Sequence, residues 1–339
     1  ELDVHLDYDM ATQVLLMPLS SVKLQEVEFK AEGSIDISHE VDLDLHVHGE
    51  KPDFSLLTAF APNDVADFLK QFKNAGNITF DGTVKGRSAL GMTPHVHIAF
   101  SCANGWFENH KTNKRVDGLA FNGHFTNGGD PTLRKAEFHL PDLNLRPGSG
   151  EFSCYLVVVD FVEPFIDVDL HCDLDLDFIG KFLNVEVVKE LSGHVQVDMK
   201  LTELIDIEAP ERNLARLKQG IDSELRVKDL HVRLPGHPHP IDDLDIHAQM
   251  RQGFVDIDTF SLRMATSDLR LSGSISDLPA IFHHQEKPIE LKLAVAANKL
   301  DLSELLAHDT ALARTQNEVL TGLSTHLHFV TSVSGLLDH

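Results

Sequence analysis

Three His-x-His pairs, His46/His48, His95/His97 and His237/His239, place two imidazoles on one face of an extended chain, the way a strand begins a zinc site. A tetrahedral site needs further ligands, and no Cys or third His follows any pair at ligand spacing. The pairs are therefore read as wet-face residues of strands. Asp169, Asp173, Asp175 and Asp177 form an acidic ladder, but it lacks the glycine turn and loop spacing of a calcium site and is read as a solvated strand face. Ser, His and Asp occur in no G-x-S-x-G elbow, and the stretch Asn127-Gly128-Gly129-Asp130 carries no lysine-bearing phosphate loop. No pair of catalytic carboxylates is brought together by the pattern. Cys102, Cys154 and Cys172 form no CxxC pair and write no disulfide framework. Cys102 and Cys172 lie in strand-like runs and read as small core residues rather than nucleophiles. The expectation is a non-enzymatic protein with no catalytic residue, cofactor or metal.

Composition narrows the partners. A formal charge of −24 over 339 residues argues against nucleic acid, since phosphate binding needs clustered Lys and Arg. Anionic membrane surfaces would repel the polar outside of the chain for the same reason. With 21 His the charge becomes much less negative below about pH 6. Apolar residues make up 42%, enough for substantial burial, so disorder is excluded. No apolar run reaches the length of a membrane-spanning helix. The chain opens on Glu1-Leu2-Asp3 and stops at Asp338-His339 in mid-pattern, which reads as a piece of a longer protein whose anchor and targeting lie elsewhere.

The elements that carry these residues are strands. Strict alternation over five to nine residues marks a strand with one wet and one dry face. The dry set begins with Leu43, Leu45 and Val47, then Ile78, Phe80 and Val84, with Gly82 in the remaining inward place. It continues through Val96, Ile98 and Phe100 to Leu119, Phe121 and Phe125, and then to Val168 and Leu170. Val195, Val197, Met199 and Leu201 follow, then Leu244, Ile246 and Met250. Val255, Ile257 and Leu262 lead to Leu269 and Leu271, and the set closes on Leu291, Leu293 and Val295. Turn clusters such as Pro147-Gly148-Ser149-Gly150 and Pro235-Gly236-His237-Pro238 separate the runs and point to an antiparallel meander.

The script repeats. Leu43, Val168 and Leu291 head equivalent strands 125 and then 123 residues apart, and Val116-Asp117-Gly118-Leu119 recurs 125 residues on as Ile241-Asp242-Asp243-Leu244. A long period of alternating strands means an array with an extended surface. The boundaries are 1–40 for the tail of a preceding copy, 41–165 and 166–288 for two copies, and 289–339 for a truncated one. Gly33-Ser34-Ile35-Asp36 in the tail echoes Gly273-Ser274-Ile275-Ser276. Each copy holds one helical patch: 64–73, with Val65, Phe68, Leu69 and Phe72 on one face, then about 178–191, then about 302–320.

A one-sided sheet must bury its dry face. Here that face is aliphatic, with Trp106 the only tryptophan and Tyr8 and Tyr155 the only tyrosines, so it offers little to hydrogen-bond a specific ligand. Such a face suits acyl chains, and the scarcity of Trp and Tyr argues against an outer-membrane barrel. The fold class expected is mainly β, a long curled antiparallel sheet with a few short helices. Some eighteen to twenty strands at ~4.8 Å would make a groove on the order of 90 Å long. The competing reading is a structural or adhesive β-repeat protein whose own helices fill the floor.

Two stretches carry a family resemblance: Lys51-Pro52-Asp53-Phe54-Ser55-Leu56-Leu57, and Gly76-Asn77-Ile78-Thr79-Phe80-Asp81-Gly82-Thr83-Val84-Lys85-Gly86. With Asn104-Gly105-Trp106-Phe107 and Val116-Asp117-Gly118-Leu119, they resemble AsmA-like proteins of Bacteroidetes type over about residues 13–306. The resemblance implies a repeating, taco-like β-groove on a periplasmic body anchored by an inner-membrane helix outside this segment. It further implies carriage of phospholipid or another acyl-chain lipid between inner and outer membranes, in outer-membrane biogenesis.

Overall fold

A computed structural model describes residues 2–3, 5–24, 27–51, 71–184, 189–204, 221–235, 237–282, 286–305 and 318–337. The expected helical patch at 64–73 falls mostly outside them. Among the described residues strands make up 73% and the helices are four and short, so the class is mainly β, an antiparallel sheet that does not close into a barrel. The chain divides into two compact units, 1–146 with 153–168 and 147–152 with 169–339. The change at Val168/Asp169 falls inside the strand that opens the second sequence repeat.

The first unit is built on β1 (Leu2–Asp3), β2 (Asp7–Asp9), β3 (Val14–Leu24), β4 (Val27–Asp36), β5 (Val41–Lys51), β6 (Phe72–Ser88), β7 (His95–Asn109), β8 (Arg115–Thr126) and β9 (Glu137–Pro147). β10 (Glu151–Val159) and β11 (Phe165–Asp175) contribute residues to both units. From β3 to β8 each strand pairs antiparallel with the next, while β1 and β2 both pair with β3. The turns follow their residues. Asn109 accepts from the backbone N–H of Lys111 and Thr112, and Asn113 takes the left-handed conformation (φ 53°), which together reverse the chain between β7 and β8. Buried Asn127 accepts from Val96 N–H and Gly129 N–H and donates to the Pro94 carbonyl, pinning the turn after β8.

In the second unit β12 (Lys189–Leu204), β13 (Ile221–Arg233), β14 (Ile241–Arg251), β15 (Phe254–Met264), β16 (Ser267–Ile275), β17 (Pro288–Asp301) and β18 (Val319–Ser332) again pair in chain order. The helices are α1 (Leu176–Leu183), α2 (Leu278–Phe282), α3 (Leu302–Leu305) and α4 (Val333–Leu337). α1 is shorter than the sequence suggests. Left-handed Asn184 (φ 54°) ends it, and Glu190 and Leu191 already belong to β12. The third patch likewise keeps only Leu302–Leu305 as helix within the described residues, and Val319 and Leu320 enter β18.

α1 also corrects the reading of the acidic ladder. Asp175 accepts from Asp177 N–H (2.9 Å) and Phe178 N–H (3.2 Å) as the helix N-cap, and Asp177 sits in the first turn paired with Lys181 at 2.7 Å. Asp169 and Asp173 lie within strand β11, bound to Lys200 (3.0 Å) and His194 (2.5 Å), and Asp175 is its last residue. From Asp173 the ladder's two-residue spacing runs unbroken through the cap into the first helical turn, which is why alternation alone extended the strand too far.

Gly33 and Gly273, noted above as echoes, share a backbone state. Their φ values are +143° and +142°, and each pairs with a Leu on the following strand, Leu45 and Leu293. A Cβ at either site would strike the carbonyl of the residue before that Leu, Asp44 or Lys292. The sequence repeat is thus also a geometric one.

Candidate functional site

Register partners in an antiparallel sheet share a face, so the ladders trace the dry face directly. In the first unit Gly33, Leu45, Val84 and Val96 are successive partners across β4 to β7. Beside that row run Ala31, Val47, Gly82, Ile98 and Phe125, then Phe80 with Phe100, then Ile78 with Cys102 and Phe121. Leu43 pairs with Ile35, and Leu119 with Gly105 across a bulge that follows Cys102. One end is packed solid, where Phe29, Ile78, Cys102 and Leu119 form a buried cluster with Phe107, Leu143 and Leu145 against it.

The second unit carries three such rows across seven strands. Val197, Leu225, Ala248, Ile257, Gly273, Leu293 and Leu327 are partners in turn from β12 to β18. On one side lie Val195, Val227, Ile246, Phe260, Leu271 and Val295, and on the other Met199, Ser223, Met250, Val255, Ile275 and Leu291. Leu201 faces Ile221, Leu244 faces Leu230 and Leu262 faces Leu269. Val168 and Leu170 lie on β11, with Leu170 between Asp169 and His171, whose side chains reach the wet-face Lys200 and Asp198. Sequence reasoning missed the contribution of β13 because Ser223 takes one inward place and breaks its apolar alternation.

Most of this face is open to contact. Of the lining residues named from sequence, Ile78, Leu119, Val255 and Leu291 are buried and the rest are half-buried. The described helices cover it only locally: Ala280 and Ile281 of α2 and Val333 of α4 pack on Ile275, Ile289, Leu291 and Leu293. What remains is a half-buried, mostly apolar face.

The wet face holds the histidines, as the alternation requires. His46 and His48 lie on β5 and His95 and His97 on β7. His237 and His239 are instead in the loop between β13 and β14, where His237 Nδ1 lies 2.8 Å from the His239 carbonyl oxygen. Among the described residues no three His, Cys, Asp or Glu side chains gather as a metal site would need. Several histidines sit between carboxylates from neighbouring strands, a pattern that nearest-residue spacing could not reveal. His171 Nδ1 is 2.5 Å from Asp198 and its Nε2 3.3 Å from Glu151, and the Asp198 bond pulls its pKa up. Cys102 and Cys172 are buried as expected and Cys154 is half-buried; burial pushes Cys102 up to about 11 and raises Cys172 too, which keeps both protonated.

No family model, curated protein or solved structure matches the chain.

Proposed function

We propose that the dry faces are lipid-binding floors, and that the chain is a segment of an AsmA-like envelope protein that conducts phospholipid or another acyl-chain lipid between bacterial membranes. The observation that carries the reading is the set of three rows across β12 to β18, apolar at nearly every place and half-buried rather than packed shut. Apolar burial contributes roughly 25 cal/mol per Å² and is non-directional, so an acyl chain is held by area and not by any one residue. A floor without polar anchors has no deep minimum along its length, and a chain can slide while its headgroup stays in water. In this reading the activity is non-enzymatic and needs no cofactor, and the full-length protein is periplasmic with an inner-membrane anchor.

The test is a photo-crosslinking amino acid placed in cells at Val197 on the dry face and, separately, at Gln196 on the wet face. Lipid adducts at Val197 and none at Gln196 support the floor. Protein self-crosslinks at Val197 without lipid mean a face filled by the chain itself, and the structural β-repeat reading then replaces this one.

A further inference from the structure

The first unit carries a local excess of positive charge inside an acidic chain. Residues 71–147 hold nine Lys and Arg against six Asp and Glu, whereas the whole chain holds 29 against 53. Five of those cations gather at one end of the sheet, where β6 begins, the chain turns from β7 to β8, and β9 ends. Ladder pairs set Lys73 beside Glu108, and Glu108 beside Arg115, across β6, β7 and β8. Lys111 and Lys114 are exposed in the turn itself. Arg146, near the end of β9, lies against Gly118 of β8, where an added Cβ would come within 2.6 Å of the arginine Nε.

Two of the five are neutralised on the spot, Lys73 by Glu108 at 2.7 Å and Arg115 by Asp117 at 2.6 Å. Lys111, Lys114 and Arg146 have no carboxylate partner among the described residues, and all three are exposed. An aromatic ring marks the same end. Trp106, the only tryptophan, is half-buried, with the Arg115 guanidinium 4.1 Å from its ring centroid. A part-wet tryptophan beside lysines and arginines is the residue set of a membrane–water interface. The overall charge of −24 opposes approach to an anionic surface, but at 0.1 M salt only charges within about 10 Å act on it, and the described charges of this tip are cationic in excess. A nucleic acid would need a longer basic track than three free cations on one tip.

We propose that this tip, built on Trp106, Lys111, Lys114 and Arg146, docks on the phosphate headgroups of an anionic lipid bilayer. The choice of a bilayer over an acidic peptide rests on the lipid reading of the adjoining dry face, since a floor that carries acyl chains needs a membrane with which to exchange them. The two surfaces are continuous: Phe107, next to Trp106, packs on the buried cluster at the end of that floor.

The experiment uses the full chain and reads the fluorescence of Trp106, which as the only tryptophan reports this tip alone. Vesicles of three parts phosphatidylcholine to one part phosphatidylglycerol, with a trace of headgroup spin label, are titrated in at ~0.1 M salt. The expected result is saturable quenching that phosphatidylcholine vesicles do not produce and that ~1 M salt abolishes, where the screening length falls to about 3 Å. Lys111→Gln combined with Lys114→Gln should weaken binding at least about ten-fold, a change of ~1.4 kcal/mol. Both lysines are exposed and bonded to no carboxylate, so the fold survives their loss. Lys85→Gln combined with Arg87→Gln, the same charge change at the other end of β6, should leave binding unchanged. Absence of quenching by anionic vesicles overturns the proposal, as does cosedimentation that leaves Trp106 unquenched or that both double variants weaken alike. Binding of poly-glutamate without binding of vesicles overturns it in favour of an acidic peptide. Lipid adducts at Val197 with no quenching at Trp106 remove the docking tip and leave the floor standing.

Discussion

His124 lies flat against His139, ring centroids 4.5 Å apart and planes within 10°, with His97 on its other side at 5.7 Å. Burial first, and then the two neighbouring imidazoles, hold the His124 pKa below the ordinary value of a histidine, against a smaller upward pull from Glu137. His171, bonded to Asp198, is shifted the other way. The two units therefore hold wet-face histidines of opposite linkage, His124 in the first and His171 in the second, and acid acts on them with opposite sign.

A proton NMR titration should place the His171 midpoint above ~6.5 and the His124 midpoint below it. Because the folded pKa of His171 is raised, its stabilisation is full below the unfolded value and lost as pH rises through the folded one. His171→Gln should then lose stability at pH 5.5 and little at pH 8.5. His124 is the reverse: its folded pKa is depressed, so its contribution is present above the unfolded value and lost as pH falls through the folded one. His124→Gln should gain on the parent chain as pH falls. Urea denaturation at the two pH values reads both, and parallel behaviour of the two variants would contradict the assignment.

The paired glycines make a sharper prediction about the backbone. Gly33→Ala and Gly273→Ala each force an L side chain into a φ near +142° and against a carbonyl of the next strand. Each should cost at least about 1–3 kcal/mol from strain alone. Gly82→Ala is the control: Gly82 has no positive φ, and a Cβ there meets the Phe80 ring at an ordinary 3.4 Å. In a strand interior Ala is favoured over Gly by roughly 0.5–1 kcal/mol, so this variant should be neutral or stabilised. Equal losses at Gly33 and Gly82, measured by chemical denaturation, would rule out the conformational explanation.

Alternation made the strands and the dry face legible because a period of two is local: each residue's side is set by its neighbours, as at Val195, Val197 and Met199. The Gly33 and Gly273 echo was legible as sequence but not as a positive φ. The change of phase after Ile257 shows in the sequence as a dry set that moves from Ile257 to Leu262, but only the ladder places the bulge, between Ile257 and Phe260. The helix N-cap at Asp175 was hidden because aspartate serves equally as a wet-face residue and as a cap. The carboxylate brackets around His46, His171, His231 and His247 join adjacent strands at separations of 11 to 35 residues for their shorter bonds, and only register brings those residues together.

Packing at the closed end of the first dry face is tested by Ile78, which is fully buried between Cys102 and its cluster. Ile78→Ala should cost ~2–5 kcal/mol, the usual loss for emptying a packed site. Val84, half-buried on the same strand, lacks a closed shell, and Val84→Ala should cost about 1 kcal/mol or less, in keeping with partial burial. Urea titration of the two variants separates them, and a cost at Val84 equal to that at Ile78 would mean that the floor is as closed as the end.

The lipid reading makes its own demand on the second unit. Val197 heads a row of seven inward places that runs from β12 to β18, with Leu225 as its partner, while Gln196 and Arg226 form the adjacent pair on the wet face. Val197→Asp puts a carboxylate where an acyl chain would lie, and stripping that charge of water costs several kcal/mol. In the open floor the charge is hydrated while no lipid is present, so the fold tolerates it and the lipid does not. Chain purified from a bacterial host should carry phospholipid, measured by mass spectrometry of an organic extract. Val197→Asp should lower that content at least about three-fold, a difference of ~0.7 kcal/mol, with unchanged circular dichroism. Gln196→Asp adds the same charge on the opposite face and should leave the content unchanged. Equal lipid in all three proteins would place any bound lipid away from this face.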